Sequence, residues 1–360
     1  MSTQSEDDEQ VAPVLMASLH DVRHFASLLR GVNFANRATV TITKSGFTAT
    51  VEEARTVLAT AYVFADIFDE YTYTAAPAPR SHSQSSPSPT PPPNSQADST
   101  TALEIPLNTL IECLNIFGNA GQGSAGGGTK GKKWKRQGED EEGDEDDRRA
   151  GGNGKIDQYF SGGGDKRTGM RMSYAGDGHP LTLIIAEDTS GPTARCEVTT
   201  YDAEPQLDLP FDSDETVLKI ILKSSWLRDA LSELDPSCDK LTLIGNPPTP
   251  AGNARAAARD LAKPIFRIQA AGSFGSTEMD YPNDREVLET VDCEKSVRFS
   301  YRFSHMSRTL KALQSSTKTS LRIDGEGLLS LQFLMPSPKP KGGTSEAFIE
   351  FRCLPLDETI

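Results

Sequence analysis

Several carboxylates lie close together in the first third of the sequence, and carboxylates are the groups that hold metal ions in nucleases. Asp66, Asp69 and Glu70 fall within one short stretch, and Glu52 and Glu53 precede them. Two-metal hydrolysis of a phosphodiester needs several carboxylates that converge on one point. Successive residues of a strand point to opposite faces, so these neighbours do not converge by sequence alone. We favour solvated acids and a non-catalytic chain, and we keep metal-dependent hydrolysis of nucleic acid as the alternative.

Two other chemical signals are weaker. Residues 121–132 match GxGxxG and most of GxxxxGK, but Lys133 stands where a P-loop has Ser or Thr. This stretch neither follows a predicted strand nor opens a helix, so no phosphate cradle is expected. His20 and His24 are four residues apart, without a third ligand. We therefore expect no cofactor and no bound metal.

Basic residues recur in the predicted helices, where contacts with DNA phosphates would be sequence-independent and salt-sensitive. Each position taken alone is equally compatible with an ordinary solvated helix face. The second predicted helix has no Lys or Arg, so a surface formed by these helices would carry few positive charges. As a set we interpret them as DNA-facing and call them the inner-wall residues: Arg23 and Arg30 in the first helix, Lys223 (at the edge) and Arg228 in the third, and Arg308 and Lys311 in the fourth.

The elements that position these residues occur twice along the chain. Val14–Val32 and Val217–Asp235 each contain an apolar strand that runs into a helix with apolar residues three and four apart. A second helix is predicted in each half, at Pro106–Phe117 and at Ser304–Gln314, and strands follow each helix. The fold class is therefore α+β, with two tandem domains of mostly antiparallel sheets. Such a duplication is typical of sliding clamps, in which two helices of each domain lie on the inner face.

Assembly into a ring requires exposed strand edges that pair with a neighbour. The last strand of the first half, Arg195–Tyr201, and one strand of the second half, Thr277–Tyr281, are the candidates. The alternative is that both are merely edge strands. The residues predicted for these subunit edges are Arg195, Glu197, Thr199, Thr277, Met279 and Tyr281.

Composition excludes several classes of protein. The chain has 360 residues, with 37 Lys and Arg against 51 Asp and Glu, and a net charge of −14. No apolar run reaches the roughly 18 residues of a membrane-spanning helix, so no membrane partner is expected. The start MSTQSEDDEQ is acidic, unlike a secretory signal. The five cysteines are dispersed without a CxxC pair, which favours a reducing compartment.

Low-complexity stretches interrupt the pattern and set the expected domain limits. One stretch is rich in Pro and Ser, and another is rich in Gly and then in charge. We predict a disordered acidic tail at 1–13, a first clamp domain at 14–201 with disordered inserts at 75–101 and 119–168, a connector at 202–212, and a second clamp domain at 213–360.

A basic run lies in the second insert, around Trp134. Such a run is typical of a nuclear import signal or of a loose nucleic-acid contact. Eight acids follow within a few residues, so a mixed-charge linker is the alternative. The candidates for nuclear import are Lys130, Lys132, Lys133, Lys135 and Arg136.

Many segments together resemble one known family, the Rad-one/Rec-one subunit of the heterotrimeric DNA-damage checkpoint clamp. This clamp is of the nine-one-one type and is a relative of proliferating cell nuclear antigen. The similar segments are spread over nearly all of the predicted ordered residues, whereas the two inserts depart from the compact family pattern. They are ASLHDVRHFASLLRGVNFANRATVTITKSGF (17–47), VEEARTVLATAYVFADIFDEY (51–71), LNTLIECLNIFG (107–118), MRMSYAGDGHPLTLII (170–185), WLRDALSELD (226–235), FGSTEMDYP (274–282) and LLSLQFLM (328–335).

The resemblance implies a function in DNA-damage signalling and DNA repair in the nucleus. It implies a non-catalytic subunit of a ring that encircles DNA at damage sites and recruits checkpoint-signalling and repair factors. The implied partners are two other clamp subunits, a clamp loader, double-stranded DNA or primer-template junctions, and checkpoint and repair proteins. The resemblance also implies one alternative activity, a metal-dependent 3′–5′ DNA exonuclease. A homotrimeric replication processivity clamp is a further alternative, which the long inserts and the sparse basic residues make less favourable.

Overall fold

The computed structural model describes residues 13–75, 100–118, 167–187, 191–248, 264–338 and 343–357. The acidic tail, most of both predicted inserts and the basic run at 130–136 lie outside the described residues. The predicted limits of the inserts were too wide at two points. Thr101 begins a strand, and Thr168 is buried, with its carbonyl accepting a hydrogen bond of 3.0 Å from the Val22 N–H.

The first half alternates strands with two helices. Its elements are β1 (Leu15–Leu19), α1 (Arg23–Gly31), β2 (Arg37–Thr43), β3 (Gly46–Glu53), β4 (Val57–Phe64), β5 (Glu70–Tyr73), β6 (Thr101–Pro106), α2 (Leu107–Leu114), β7 (Gly169–Tyr174), β8 (Leu181–Ala186), β9 (Thr193–Val198) and β10 (Tyr201–Asp202).

The second half repeats this order, with its second helix in two pieces. Its elements are β11 (Thr216–Lys223), α3 (Ser224–Glu233), β12 (Cys238–Gly245), β13 (Phe266–Gly272), β14 (Gly275–Tyr281), β15 (Leu288–Asp292), β16 (Val297–Arg302), α4 (Phe303–Arg308), α5 (Leu310–Ser315), β17 (Lys318–Asp324), β18 (Leu329–Pro338) and β19 (Thr344–Cys353).

Both predicted second helices differ from the observed ones at identifiable residues. Pro106 still belongs to β6, and α2 ends at Leu114 in a turn, so this helix is shorter than predicted. Thr309 separates α4 from α5, because its hydroxyl donates to the carbonyl of Met306 at 2.6 Å and its N–H bonds the same oxygen at 3.1 Å. Bonds three residues back tighten the turn and interrupt the α-helical ladder.

Every strand pairing is antiparallel, and the sheet order of the first half recurs in the second. The series β5-β1-β7-β8-β9 has the same order as β15-β11-β17-β18-β19, and β4-β3-β2-β6 has the same order as β14-β13-β12-β16. Alternation explains the strands: in β2, Ala38, Val40 and Ile42 are buried while the residues between them are more exposed. The clamp fold predicted from the duplicated pattern is therefore confirmed.

The two halves are joined by a continuous sheet. Strand β4 pairs with β19, with Ala61 opposite Ile349, and this pair makes one ten-stranded sheet. The rings of Tyr62 and Phe348 stack across the pair at 4.4 Å. We call this junction, together with the helices that pack over it, the seam.

The helices also meet across the seam. Helix α1 packs against α2 on one side and against α5 on the other, and α5 packs against α3. Ser27 of α1 donates to Ser315 of α5 at 2.9 Å. A Cβ added to Gly31 would overlap the Cδ1 of Ile349 and lie 3.5 Å from Ala312, so glycine permits this close approach. The helices of the described residues thus form one continuous layer.

Candidate nucleic-acid interface

The helical layer carries five of the six inner-wall residues, and three arginines among them are held by acids of the same chain. Arg23 donates to Asp21 at 2.7 Å and is largely buried. Arg228 pairs with its neighbour Asp229 at 2.8 Å. The pKa of Asp21 is lowered: burial raises it, but the hydrogen bonds from Arg23 outweigh the burial. Each of these arginine–carboxylate pairs therefore contributes little net positive charge to the layer.

Two other predicted positions, Lys223 and Arg30, differ in their surroundings. Lys223 is the last residue of β11 and lies opposite Lys318, whose ammonium pairs with Glu289 at 2.9 Å. By strand alternation Lys223 projects with Lys219, away from the buried Leu222. Lys223 therefore lies at the N-terminal edge of α3, as expected, and its assignment to the DNA-facing residues stays a prediction. Arg30 lies in the last turn of α1, and burial lowers its pKa.

The structure brings Arg308 and Lys311 together in a polar cleft at the seam. The cleft has a volume of about 300 Å³ and combines residues of both halves. Lys311 is exposed, and its ammonium donates to the carbonyl of Asn33 at 3.0 Å. We call it the seam cleft, and its lining residues are Asn33, Phe34, Ala35, Asn36, Asn108, Ser307, Arg308 and Lys311.

Three side-chain amides line the seam cleft and were missed in the sequence. Asn33 donates to Asn108 at 2.7 Å, and Asn108 donates to Asn36 at 3.2 Å. Asparagine between a helix and a strand is typical of turns, so sequence pattern alone gives no signal for this convergence. Amides and ammonium groups together are the side chains that contact phosphate oxygens without reading base sequence. The cleft is thus suited to a nucleic-acid backbone.

Charged groups lie beside the cleft. Arg308 donates to Glu53 at 3.0 Å, across the seam. The other carboxylate oxygen of Glu53 and the Nδ1 of His305 are buried without a hydrogen-bond partner. The pKa of His305 is lowered, first by burial and then by the positive charge of Arg302. His305 is therefore neutral at physiological pH, and it adds no positive charge to this surface.

The predicted subunit edges lie on two strands that each have one neighbour among the described strands. Strand β9 ends its sheet beside β8, and β14 ends its sheet beside β13. Arg195 and Glu197 are exposed on β9 and pair with each other at 2.9 Å. Thr199 lies one residue beyond the end of β9, so the predicted strand was too long.

Side chains on β14 divide between surface and core. Thr277 is exposed and Met279 is partly buried, whereas Tyr281 is buried and packs against Phe266 at 5.4 Å. The pKa of Tyr281 is raised to about 12, first by burial and then by the negative charges of Asp229 and Glu233 of α3. These two acids of α3 are therefore close to β14.

The carboxylates considered for metal binding are separated. Asp69 pairs with His20 at 2.9 Å, whereas Glu52 accepts a hydrogen bond of 2.9 Å from the N–H of Leu207 in the connector. Within the described ranges, no group of three His, Cys, Asp or Glu side chains is arranged to hold a metal ion. The same ranges contain no helix with the length and apolar character needed to cross a membrane.

The connector lies across the ten-stranded sheet. Besides Leu207, its Leu209 is buried and its carbonyl accepts from Arg352 at 2.8 Å. Arg352 in turn donates to the buried Glu350 at 2.9 Å. Asp202, the first residue of the predicted connector, pairs with Leu103 in the sheet instead.

Comparison with known proteins gives one family. The sequence profile of the family described as "Repair protein Rad1/Rec1/Rad17" matches residues 14–335. This range contains the first half and the second half as far as β18, and β19 lies beyond it.

Similar proteins come from animals and fungi. The mouse "Cell cycle checkpoint protein RAD1" is 31% identical over 356 residues, which cover 99% of this chain and 97% of the mouse protein. The "DNA repair exonuclease REC1" of Mycosarcoma maydis is 27% identical and covers 95% of this chain and 96% of its own length. A crystal structure of proliferating cellular nuclear antigen from Entamoeba histolytica superposes with a TM-score of 0.60 at 12% identity, covering 96% of this chain and 100% of that one. This last similarity concerns the fold alone.

Proposed function

Since the chain belongs to the Rad1/Rec1/Rad17 family of repair proteins, we propose that it is one subunit of a heterotrimeric ring that encircles DNA at damage sites. As a member of this family with the clamp fold, it is a DNA clamp subunit of the checkpoint and repair type. The finer parts of the proposal are the three different subunits, the recruitment of checkpoint-signalling and repair factors, loading by a clamp loader at primer-template junctions, and action in the nucleus.

The observation that carries the proposal is the equivalence between the seam and the two unpaired edges. Within the chain, β4 pairs with β19. In the repeated sheet order, β14 occupies the place of β4, and β9 occupies the place of β19. A neighbour with the same fold would therefore repeat the seam if its β9-type strand paired with β14 of this chain. In the same way, β9 of this chain would pair with the β14-type strand of another neighbour. Head-to-tail pairing of this kind closes a ring when the rotation allows it.

The register of the seam also identifies the positions that would pair. Following the strand partners through each sheet, Met279 of β14 is equivalent to Ala61, and Ala194 of β9 is equivalent to Ile349. Arg195 and Thr277 then flank the pairing positions on the two edges. Backbone hydrogen bonds along such edges provide affinity, and the alternating side chains provide specificity.

The helical layer supports the DNA-binding part of the proposal. Lys311, Arg308 and the asparagines of the seam cleft are suited to phosphate contacts. Because three of the inner-wall arginines are paired with acids, we expect weak and salt-sensitive attraction to DNA from this chain alone. Retention on DNA would then depend on topological enclosure by the ring more than on affinity.

One experiment tests the ring directly. The chain is co-expressed with the other two clamp subunits of its organism, and the complex is loaded on closed circular DNA by the matching clamp loader. We expect a 1:1:1 complex that stays on the circle in a high-salt wash and leaves when the circle is cut. A chain that remains monomeric with both subunits would refute the proposal.

An exonuclease remains the second candidate, because one relative is named as one. The described carboxylates do not favour it, since Asp69 pairs with His20 and no metal-binding group is present among the described residues. Purified chain with Mg²⁺ or Mn²⁺ on 3′-labelled DNA tests this alternative. Degradation that is abolished by Asp66→Ala or Asp69→Ala would favour it over the clamp alone.

A further inference from the structure

The contacts at the seam indicate which side chains a neighbouring subunit would bring against each unpaired edge of the chain. At the seam, Gly31 of α1 lies against Ala312 of α5 and Ile349 of β19, and the contact leaves no space for a Cβ. Ala312 and Ile349 are both fully buried by this contact. The seam is therefore closed by a small residue on one side and an apolar surface on the other.

The equivalents of these residues on the free edges follow from the repeat. Aligning the buried positions Phe25 and Leu29 of α1 with Leu227 and Leu231 of α3 places Glu233 at the position of Gly31. Aligning the starts of α2 and α4, which each follow the last residue of a strand, places Ile116 at the position of Ala312. Ala194 of β9 takes the position of Ile349, as derived above from the strand registers.

The two edges differ strongly in chemistry. The α2–β9 edge, formed by those two elements and the turn after α2, presents Ile116, which is 52% exposed, beside Ala194. Its charged groups are Glu112, Arg195 and Glu197, and α2 has no basic residue. This edge therefore offers an apolar surface with a slight excess of negative charge.

The α3–β14 edge, formed by those two elements, is acidic. Asp229 and Glu233 project from α3 close to Tyr281, and Glu278 and Asp280 are exposed on β14. Arg228 and Arg267 offset only part of this charge. Arg228 pairs with Asp229 at 2.8 Å, and Arg267 pairs with both Glu278 at 2.7 Å and Asp280 at 2.6 Å, so two bases face four acids.

Two aromatic side chains add exposed apolar area to the α3–β14 edge. Trp226 is 45% exposed, and Phe274, at the tip of the β13–β14 hairpin, is 86% exposed. The equivalent hairpin of the first half lies beside the seam, where Glu53 pairs with Arg308. Its tip residues Ala54 and Arg55 are exposed but not aromatic. Aromatic side chains of this kind are frequent anchors of protein interfaces.

A second copy of this chain fits this edge poorly. Pairing its α2–β9 edge with the α3–β14 edge would press the Glu233 carboxylate against Ile116 and Ala194, and burial of an unpaired carboxylate is strongly unfavourable. Both edges also carry excess negative charge, so their wider surfaces repel.

We propose that the α3–β14 edge binds a different clamp-fold chain that carries a basic side chain at the position of Ile116, and that Glu233 thereby excludes a second copy of this chain. The inference rests on the proposed ring and specifies the chemistry of one neighbour. A base at that position pairs with Glu233, and the same neighbour provides apolar contacts for Trp226 and Phe274.

Charge exchange between the two edges tests this proposal with the full-length chain alone, by sedimentation velocity at low and high salt. Ile116→Lys supplies the missing base, so this variant should self-associate at least about tenfold more tightly than the unaltered chain, and less tightly at high salt. Ile116→Lys with Glu233→Lys should lose this association, and Ile116→Glu with Glu233→Lys should regain it.

The matched control is Ile184→Lys, which makes the same change at an exposed isoleucine of β8, outside the two edges as defined although Ile184 lies opposite Arg195 of β9. Circular dichroism checks that each variant folds. The proposal fails if the unaltered chain forms a homotrimer, if Ile116→Lys folds but stays monomeric, or if Ile184→Lys associates equally. The co-expression experiment above shows separately whether the ring forms. If a 1:1:1 ring forms but the charge substitutions have no effect on association, only the proposal on Glu233 is refuted.

Discussion

Arg308 at the end of α4 donates to Glu53 at the end of β3, with 3.0 Å between Nη2 and Oε1. This ion pair joins the two halves of the chain beside the seam cleft, and it sets how much positive charge the cleft presents. An arginine whose guanidinium is held by a carboxylate attracts phosphate less than an unpaired one. The positive charge of the helical layer is thus limited by the contacts that hold the halves together.

Neutralising Glu53 should therefore strengthen DNA binding. We expect Glu53→Gln to raise the affinity of the chain for duplex DNA by a factor of about three at low salt, because Arg308 then acts on phosphate without a competing acid. Fluorescence anisotropy with a labelled duplex measures this. Glu294→Gln is the control, since it removes one exposed acid between β15 and β16. An equal gain in the control would mean that total charge, and not the pair, is responsible.

Removing the positive charge of Lys311 should have the opposite effect. Lys311→Ala is expected to weaken binding to all DNA sequences alike and to lower the slope of log K against log salt by about one, as for the loss of one phosphate contact. The same anisotropy measurement in a salt series checks this. Lys219→Ala serves as the control, because Lys219 is exposed on β11 and lies outside the seam cleft. An unchanged slope for Lys311→Ala would place this lysine away from the DNA.

Close packing at Gly31 predicts a stability effect at the seam. Gly31→Val should lower the free energy of unfolding by about 1–3 kcal/mol, since the added atoms meet Ile349 and Ala312 in a filled space. Chemical denaturation monitored by circular dichroism measures it. Ala102→Val, an exposed strand position on β6, should change stability by less than about 0.5 kcal/mol. Equal effects of the two substitutions would show that the seam is not tightly packed.

The sequence was sufficient for the repeated framework but insufficient for the site. The alternation of buried and more exposed residues, with no proline to interrupt it, predicts a strand at Val57–Phe64, and β4 has these same limits. Strand β6 was missed, since Thr101–Pro106 is short, ends in proline and borders a low-complexity stretch. Local sequence pattern therefore predicts a strand with regular alternation, such as β4, but not a short strand that ends in proline, such as β6.

The same limit explains the predicted inner-wall residues. The sequence places Lys311 on a helix, but its proximity to Asn33 and Asn108 depends on contacts between the two halves. The ion pair of Arg308 with Glu53 joins residues 255 positions apart. Periodicity does not reveal such a long-range contact. The acids that pair with Arg23 and Arg228 are within two residues of them in sequence, but periodicity does not show that the side chains pair.

Glu350 beneath the connector predicts how stability depends on pH. This carboxylate is 5% exposed and accepts hydrogen bonds from Ser330 at 2.7 Å and from Arg352 at 2.9 Å. Its pKa is lowered from the ordinary value of 4.5: burial raises it, but these hydrogen bonds and the charge of Arg352 outweigh the burial. A lowered folded-state pKa means that the ionised group stabilises the fold above pH 4.5 and that this contribution is lost as the pH falls through the folded-state pKa.

Glu350→Gln should therefore lower the free energy of unfolding by about 1–3 kcal/mol at pH 7, since it leaves Arg352 without its anionic partner. The difference from the unaltered chain should shrink as the pH is lowered below 4.5, where Glu350 itself becomes protonated. Urea denaturation at a series of pH values measures both effects. Glu346→Gln on the same strand is the control, because Glu346 is exposed. A difference that stays constant from neutral to acidic pH would contradict the assignment of the ionised carboxylate as the stabilising form.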